Sequence, residues 1–154
     1  MWKLDVIARL GYAAFALDLF GTGRALWDRA ESLAARRPIT EDRSLLQARA
    51  NAAVQTLRQL NGVDPDRIAA VGYCFGGMAV LDLARASPAI PGLKAVASLH
   101  GILAPMLVGA GRDARAENAA VGPRVVVLHA SGDPFVPPEQ VYECLEEVGY
   151  DCYA

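Results

Sequence analysis

Histidine is scarce in this sequence, with two residues, His100 and His129, in 154. Its three cysteines, Cys74, Cys144 and Cys152, form no C-x-x-C pair and no zinc spacing, so no metal centre is expected. An odd count of thiols fits a reducing compartment, and two packed thiols at Cys144 and Cys152 are favoured over a disulfide between them. No stretch approaches the roughly 20 apolar residues of a membrane span. Between Lys3 and Leu17 the chain has the outline of a signal peptide, but Asp5, Arg9 and Asp18 break it. Basic runs are missing and the net charge is -2, so neither nucleic acid nor an anionic membrane is an expected partner. There are no internal repeats and no low-complexity segments. These absences leave a soluble, cytoplasmic protein as the expectation.

What is abundant is apolar. Hydrophobic residues make up 53% of the chain, a share that points to strands covered on both faces. At this length one domain spanning residues 1–154 is expected, burying roughly 70% of its unfolded surface. Residues 1–10 read as the end of a helix, and Ala13–Leu17 as a short buried strand. "RALWDRAESLAARR" favours helix until Pro38, and Thr40 reads as the cap of the next one. Leu46, Ala50, Val54 and Leu57 mark the apolar stripe of that helix. "RIAAVGY", "LKAVASLH" and "RVVVLH" are apolar runs of the fully buried kind, with a helix after the first and another opening at "PPEQV". A loop of more than 20 residues separates the second and third strands, and "DCYA" begins something strand-like. Alternation of strand and helix implies an α/β protein, its sheet mostly parallel with helices on both faces.

The chemistry centres on "VGYCFGGM". Gly72-Tyr73-Cys74-Phe75-Gly76 is G-x-C-x-G, the nucleophile elbow of α/β hydrolases with sulfur in place of the serine oxygen. It falls where a strand gives way to a helix, at the edge where parallel sheets place their sites. Flanking glycines let neighbouring backbone come very close to the bend. A helix terminus contributes only about 0.3–1 kcal/mol to a thiolate. Bringing a thiol from about 8.5 to below neutrality takes roughly 2 kcal/mol or more, so a base or cation is also needed. Asp133, in a Gly-Asp-Pro turn directly after "RVVVLH", is the candidate acid; alone it would read as an ordinary turn residue. His100 and His129 both precede Asp133 and each closes an apolar strand, which suits packed or capped histidines better than a base.

With these residues in place the chain resembles the dienelactone hydrolase family of α/β hydrolases. The likeness runs through "LGYAAFALDLFGTG", "DPDRIAAVGYCFGGMAVLDLAR", "ASLHG" and "VVVLHASGDPFVPPEQV". It implies a cysteine nucleophile at Cys74, the triad carboxylate at Asp133 and an oxyanion donor at the Phe75 N–H. It further implies cofactor-free hydrolysis of small lactones and carboxylic esters through a thioester acyl-enzyme. His100 and His129 are then strand-end residues and not the base.

Family members also carry an N-terminal His-Glu loop and a histidine beyond the last strand, and no counterpart of either is found in these residues. The expectation is a partial α/β-hydrolase fold lacking the N-terminal strands and the C-terminal end, weak or inactive in ester hydrolysis. Exposed strand edges suggest pairing with a second copy as a homodimer. The alternative is a non-catalytic domain that keeps the pocket for binding or dimerisation.

Overall fold

Asp28 and Asp42 each open a helix in the first 65 residues. The computed structural model describes residues 2–21, 23, 25–86, 88–104 and 122–148. It forms two compact units, residues 1–65 and 66–154.

In the first unit, α1 (Trp2–Arg9) is followed by α2 (Arg29–Glu41) and α3 (Arg43–Arg58). The Asp28 carboxylate accepts the Glu31 N–H, and that of Asp42 accepts the N–H groups of Ser44 and Leu45. Each satisfies donors that a helix start leaves without intrahelical partners. Two expectations are corrected here. Pro38 does not end α2, which runs on to Glu41, because a proline near a helix end forfeits a single intrahelical bond. Thr40 lies inside α2, its hydroxyl donating to the carbonyls of Arg36 and Arg37, and Asp42 caps α3 instead. The apolar stripe of α3 is as expected, with Leu46, Ala50 and Val54 buried at four-residue spacing.

Ala13–Leu17 is not a strand. Residues 12–18 have no regular structure, and Phe15 and Leu17 are exposed. An extended segment becomes a strand when a neighbour supplies its ladder bonds, and no described strand pairs with this one.

The second unit holds β1 (Ile68–Tyr73), α4 (Phe75–Ala84), β2 (Leu93–Leu99), β3 (Arg124–Leu128) and α5 (Pro138–Val148). The three strands are parallel in the order β1-β2-β3. This is the strand–helix alternation anticipated from the apolar runs. Most of the long connection between β2 and β3, together with the "DCYA" segment and Cys152, lies outside the described residues.

Register sorts the strand residues into two faces. Gly72, Ser98 and Val127 are aligned across the sheet and all are buried. Ser98 meets α4 at Gly77, so this face lies under the helix. Leu81, Leu103, Val127, Val136 and Cys144 form its buried cluster, joining α4, β3 and α5. On the other face Val71, Tyr73 and Leu128 are exposed. Among the described residues no helix is long and apolar enough to cross a membrane.

Candidate active site

A single residue turns the chain from β1 into α4. Cys74 does so with φ 53° and ψ -116°, in a region that residues bearing a Cβ seldom occupy. Backbone hydrogen bonds hold it there. Its N–H donates to the Leu99 carbonyl at 3.1 Å, and its carbonyl accepts the Gly77 N–H at 3.0 Å. Cys74 is exposed. It precedes the ten-residue α4, whose first turn carries no acidic side chain. The partial positive charge of that helix start therefore lies next to Cys74 without a competing carboxylate on the same turn.

The glycines divide the work differently from the expectation that both elbow glycines are forced by close approach. A Cβ on Gly72 would collide with the Gly76 carbonyl, so Gly72 is required. A Cβ on Gly76 would meet nothing within 4 Å, which corrects the steric reading of that position. The crowded partner is Gly77, where a Cβ would lie 2.6 Å from both the Gly101 Cα and Ser98 Oγ. Backbone of α4 and of the residues after β2 thus touch directly at Gly77 and Gly101.

Tyr73, Leu99 and Leu128 are register partners across the three strands. The next residues are Cys74, His100 and His129, one at the carboxyl end of each strand. The His100 N–H donates to the Leu128 carbonyl at 2.7 Å. With φ 41°, His100 shares left-handed backbone with Cys74, and among the described residues these two are the non-glycine positions that do so.

Asp133 follows β3 in a tight turn. Its Oδ1 accepts the Phe135 N–H at 2.8 Å. Its Oδ2 stands 4.0 Å from His129 Nε2, and the His129 side chain is 9% exposed. Neither ring nitrogen of His129 has a hydrogen-bond partner among the described residues. The structure therefore groups His129 with Asp133, sets His100 beside Cys74, and places sulfur and carboxylate at one sheet edge with β2 between their strands. Sequence reasoning set His100 aside as a strand-end residue; the parallel register, which the sequence does not spell out, is what brings it next to Cys74.

Comparison with known proteins gives a consistent neighbourhood. The family model described as "Dienelactone hydrolase family" matches residues 4–150. An uncharacterized protein of Caenorhabditis elegans, K02A2.1, is 39% identical over 69 residues, which is 44% of this chain and 42% of that protein. A solved structure named m3DLH is 35% identical with a TM-score of 0.79, covering 98% of this chain and 60% of its own. A dienelactone hydrolase-like promiscuous phosphotriesterase from metagenomic libraries is 30% identical with the same TM-score and the same coverage. This chain thus spans less than two thirds of the length of the relatives it matches.

Proposed function

Given that the chain belongs to the dienelactone hydrolase family, we propose that it cleaves small carboxylic esters or lactones through a thioester on Cys74. The observation that carries this reading is the exposed sulfur on a strained bend between β1 and α4. The sulfur attacks the ester carbonyl, the Phe75 N–H at the start of α4 stabilises the developing oxyanion, and alcohol departs. Water then attacks the thioester, releasing acid and restoring the thiol. Asp133 is the carboxylate that would orient a triad imidazole and balance its charge, and no cofactor enters these steps. An exposed reactive thiol suits the reducing cytoplasm.

Turnover by these 154 residues is proposed to be slow. No histidine follows Asp133 in the sequence, and a missing triad member typically costs several powers of ten in rate. The test is p-nitrophenyl acetate with the wild-type chain and Cys74→Ala, following both nitrophenol release and the intact mass. Slow release, with an acetyl group trapped on Cys74, is expected. Release that persists unchanged in Cys74→Ala would overturn the reading. Because one similar structure is a promiscuous phosphotriesterase, a phosphotriester is a sensible second probe.

A second reading is favoured by the exposed Val71 and Tyr73 on β1, the outer strand of the described sheet. We propose that this strand also mediates pairing with a second copy. Light scattering at micromolar concentration is expected to give twice the chain mass, and a monomer at every concentration would exclude it.

A further inference from the structure

We infer that the amino edge of the sheet carries a second site, which holds a small organic anion between Lys94 and Arg124. It is independent of any ester chemistry at Cys74. An open cavity of about 580 Å³ is lined there by the turn before β2, by Lys94, and by Gly122 and Arg124 beside the start of β3. That volume falls within the range of roughly 300–1,000 Å³ found for small-molecule sites. Lys94 lies five residues of strand from Leu99, whose carbonyl receives the Cys74 N–H, a distance of about 17 Å. The cavity is therefore remote from the candidate nucleophile.

Its wall is built by local chemistry. Ile90-Pro91-Gly92-Leu93 is a tight turn, closed by the Leu93 N–H on the Ile90 carbonyl at 3.3 Å. Proline suits the second position of such a turn, and Gly92, with φ 81°, supplies the left-handed third. Ile90 and Leu93 are both buried, which anchors the turn in the core. The Gly92 carbonyl accepts the Ile68 N–H at 2.9 Å, tying the same turn to β1. The wall thus stands formed before any ligand arrives, which lowers the ordering cost of binding.

Lys94 comes next, and the ladder skips it. Ile68 aligns with Leu93 and Ala69 with Ala95, which leaves Lys94 as an extra residue without a register partner on β1. Pairing with β3 begins at Ala95 and Arg124, so Lys94 has no register partner on that side either. Such an extra residue is a bulge, a feature that is rare between parallel strands and re-aims a side chain where it occurs. Here it brings Lys94 to the same cavity as Arg124, and both residues are exposed. No carboxylate lines the cavity, and neither cation forms an ion pair among the described residues.

Two like charges at one cavity, with no counter-charge in its lining, select the ligand. The chain as a whole has a net charge of -2, so attraction to an anion is local to this edge. Arginine presents a planar fork that matches carboxylate or phosphate oxygens, and lysine adds a compact point charge. Ala89 and Pro91 line the cavity beside them and offer apolar surface for a short hydrocarbon or aromatic body. The occupant is accordingly a small organic carboxylate or phosphate, its head group between the two cations and its body along the turn. A neutral molecule of the same shape lacks the charge that this lining selects.

The experiment is an amide 1H–15N titration of the full chain with benzoate, phenyl phosphate and neutral benzamide. The two anions are expected to shift the Gly92, Lys94, Gly122 and Arg124 resonances saturably at millimolar concentration, and benzamide is not. Tighter binding of benzoate assigns the site to carboxylates, and tighter binding of phenyl phosphate assigns it to phosphates. Lys94→Gln and Arg124→Gln keep a polar side chain at an exposed position, so both are expected to fold as wild type. Each is expected to weaken binding about two- to fivefold, the effect of losing one exposed charge pair. Cys74→Ala is expected to bind as wild type does. The inference fails if neither anion gives a saturable shift, or if benzamide shifts the same amides equally. It fails too if both glutamine variants keep wild-type affinity, or if Cys74→Ala abolishes the shifts.

Discussion

Arg85, the C-cap of α4, grips Glu147 on α5 through two hydrogen bonds of 2.8 Å, one from Nε and one from Nη2. Its Nη1 donates to Asp82 Oδ1 at 3.0 Å, and the Asp82 side chain is completely buried. One guanidinium thus ties the last described helix to the helix that starts at the candidate nucleophile.

Removing that guanidinium strips a buried carboxylate of its cationic partner. Arg85→Met is expected to cost about 3–5 kcal/mol, the range for breaking a buried pair on one side. Urea unfolding gives the number, and a loss below about 1 kcal/mol would mean that the ion pairs contribute little.

Gly72 and Gly76 look alike in the motif and differ in space. Gly72→Ala pushes a methyl into the Gly76 carbonyl and is expected to lose roughly 1–3 kcal/mol, together with the reactivity of Cys74. Gly76→Ala enters open space and is expected to stay within about 0.5 kcal/mol of wild type. Thermal melts of the two variants are the check, and equal losses would contradict the contact geometry.

Asp133 has a structural task and a proposed chemical one, and two substitutions separate them. Asp133→Asn keeps an oxygen to accept the Phe135 N–H, so it is expected to fold normally while losing any turnover that depends on the charge. Asp133→Ala loses that bond as well, at about 1 kcal/mol. Stability and p-nitrophenyl acetate turnover, measured on both, should therefore part company.

The pH dependence of the N-terminal unit should carry the signature of Asp42. The hydroxyl of Ser44, then the N–H of Leu45, hold its carboxyl below the ordinary carboxylate range. A carboxyl whose folded value is depressed adds stability above its unfolded value, and loses it as pH falls through the folded one. Asp42→Ala is accordingly expected to lower the melting temperature at neutral pH and to flatten its fall in acid. A parallel acid limb in wild type and variant would argue against the cap.

Legibility in the sequence followed the range of the forces involved. β1, β2 and β3 were readable because each is an apolar run, and the elbow because Gly72 admits no side chain. The turn that holds Asp133 was readable from Gly132-Asp133-Pro134. Ala13–Leu17 was misjudged because strand propensity says nothing about whether a partner edge is available. The end of α2 was misplaced because a proline near a helix terminus costs little, and Asp42 outcompetes Thr40 by accepting two N–H groups at once. The adjacency of Cys74 and His100 was invisible for another reason: 26 positions apart in sequence, they are joined by the alignment of two strands.

That alignment has a mechanical consequence. Sliding β2 by one residue past β1 would carry the imidazole about 3.3 Å along the strand and turn successive side chains to opposite sides. The residue that stands beside Cys74 is therefore selected by the ladder rather than by any local loop. Loosening the hydrogen bonds between these two strands would release the Cys74 N–H from the Leu99 carbonyl, and with it the bend that carries the sulfur. Its reaction rate becomes a gauge of how faithfully the two chains of amides are matched.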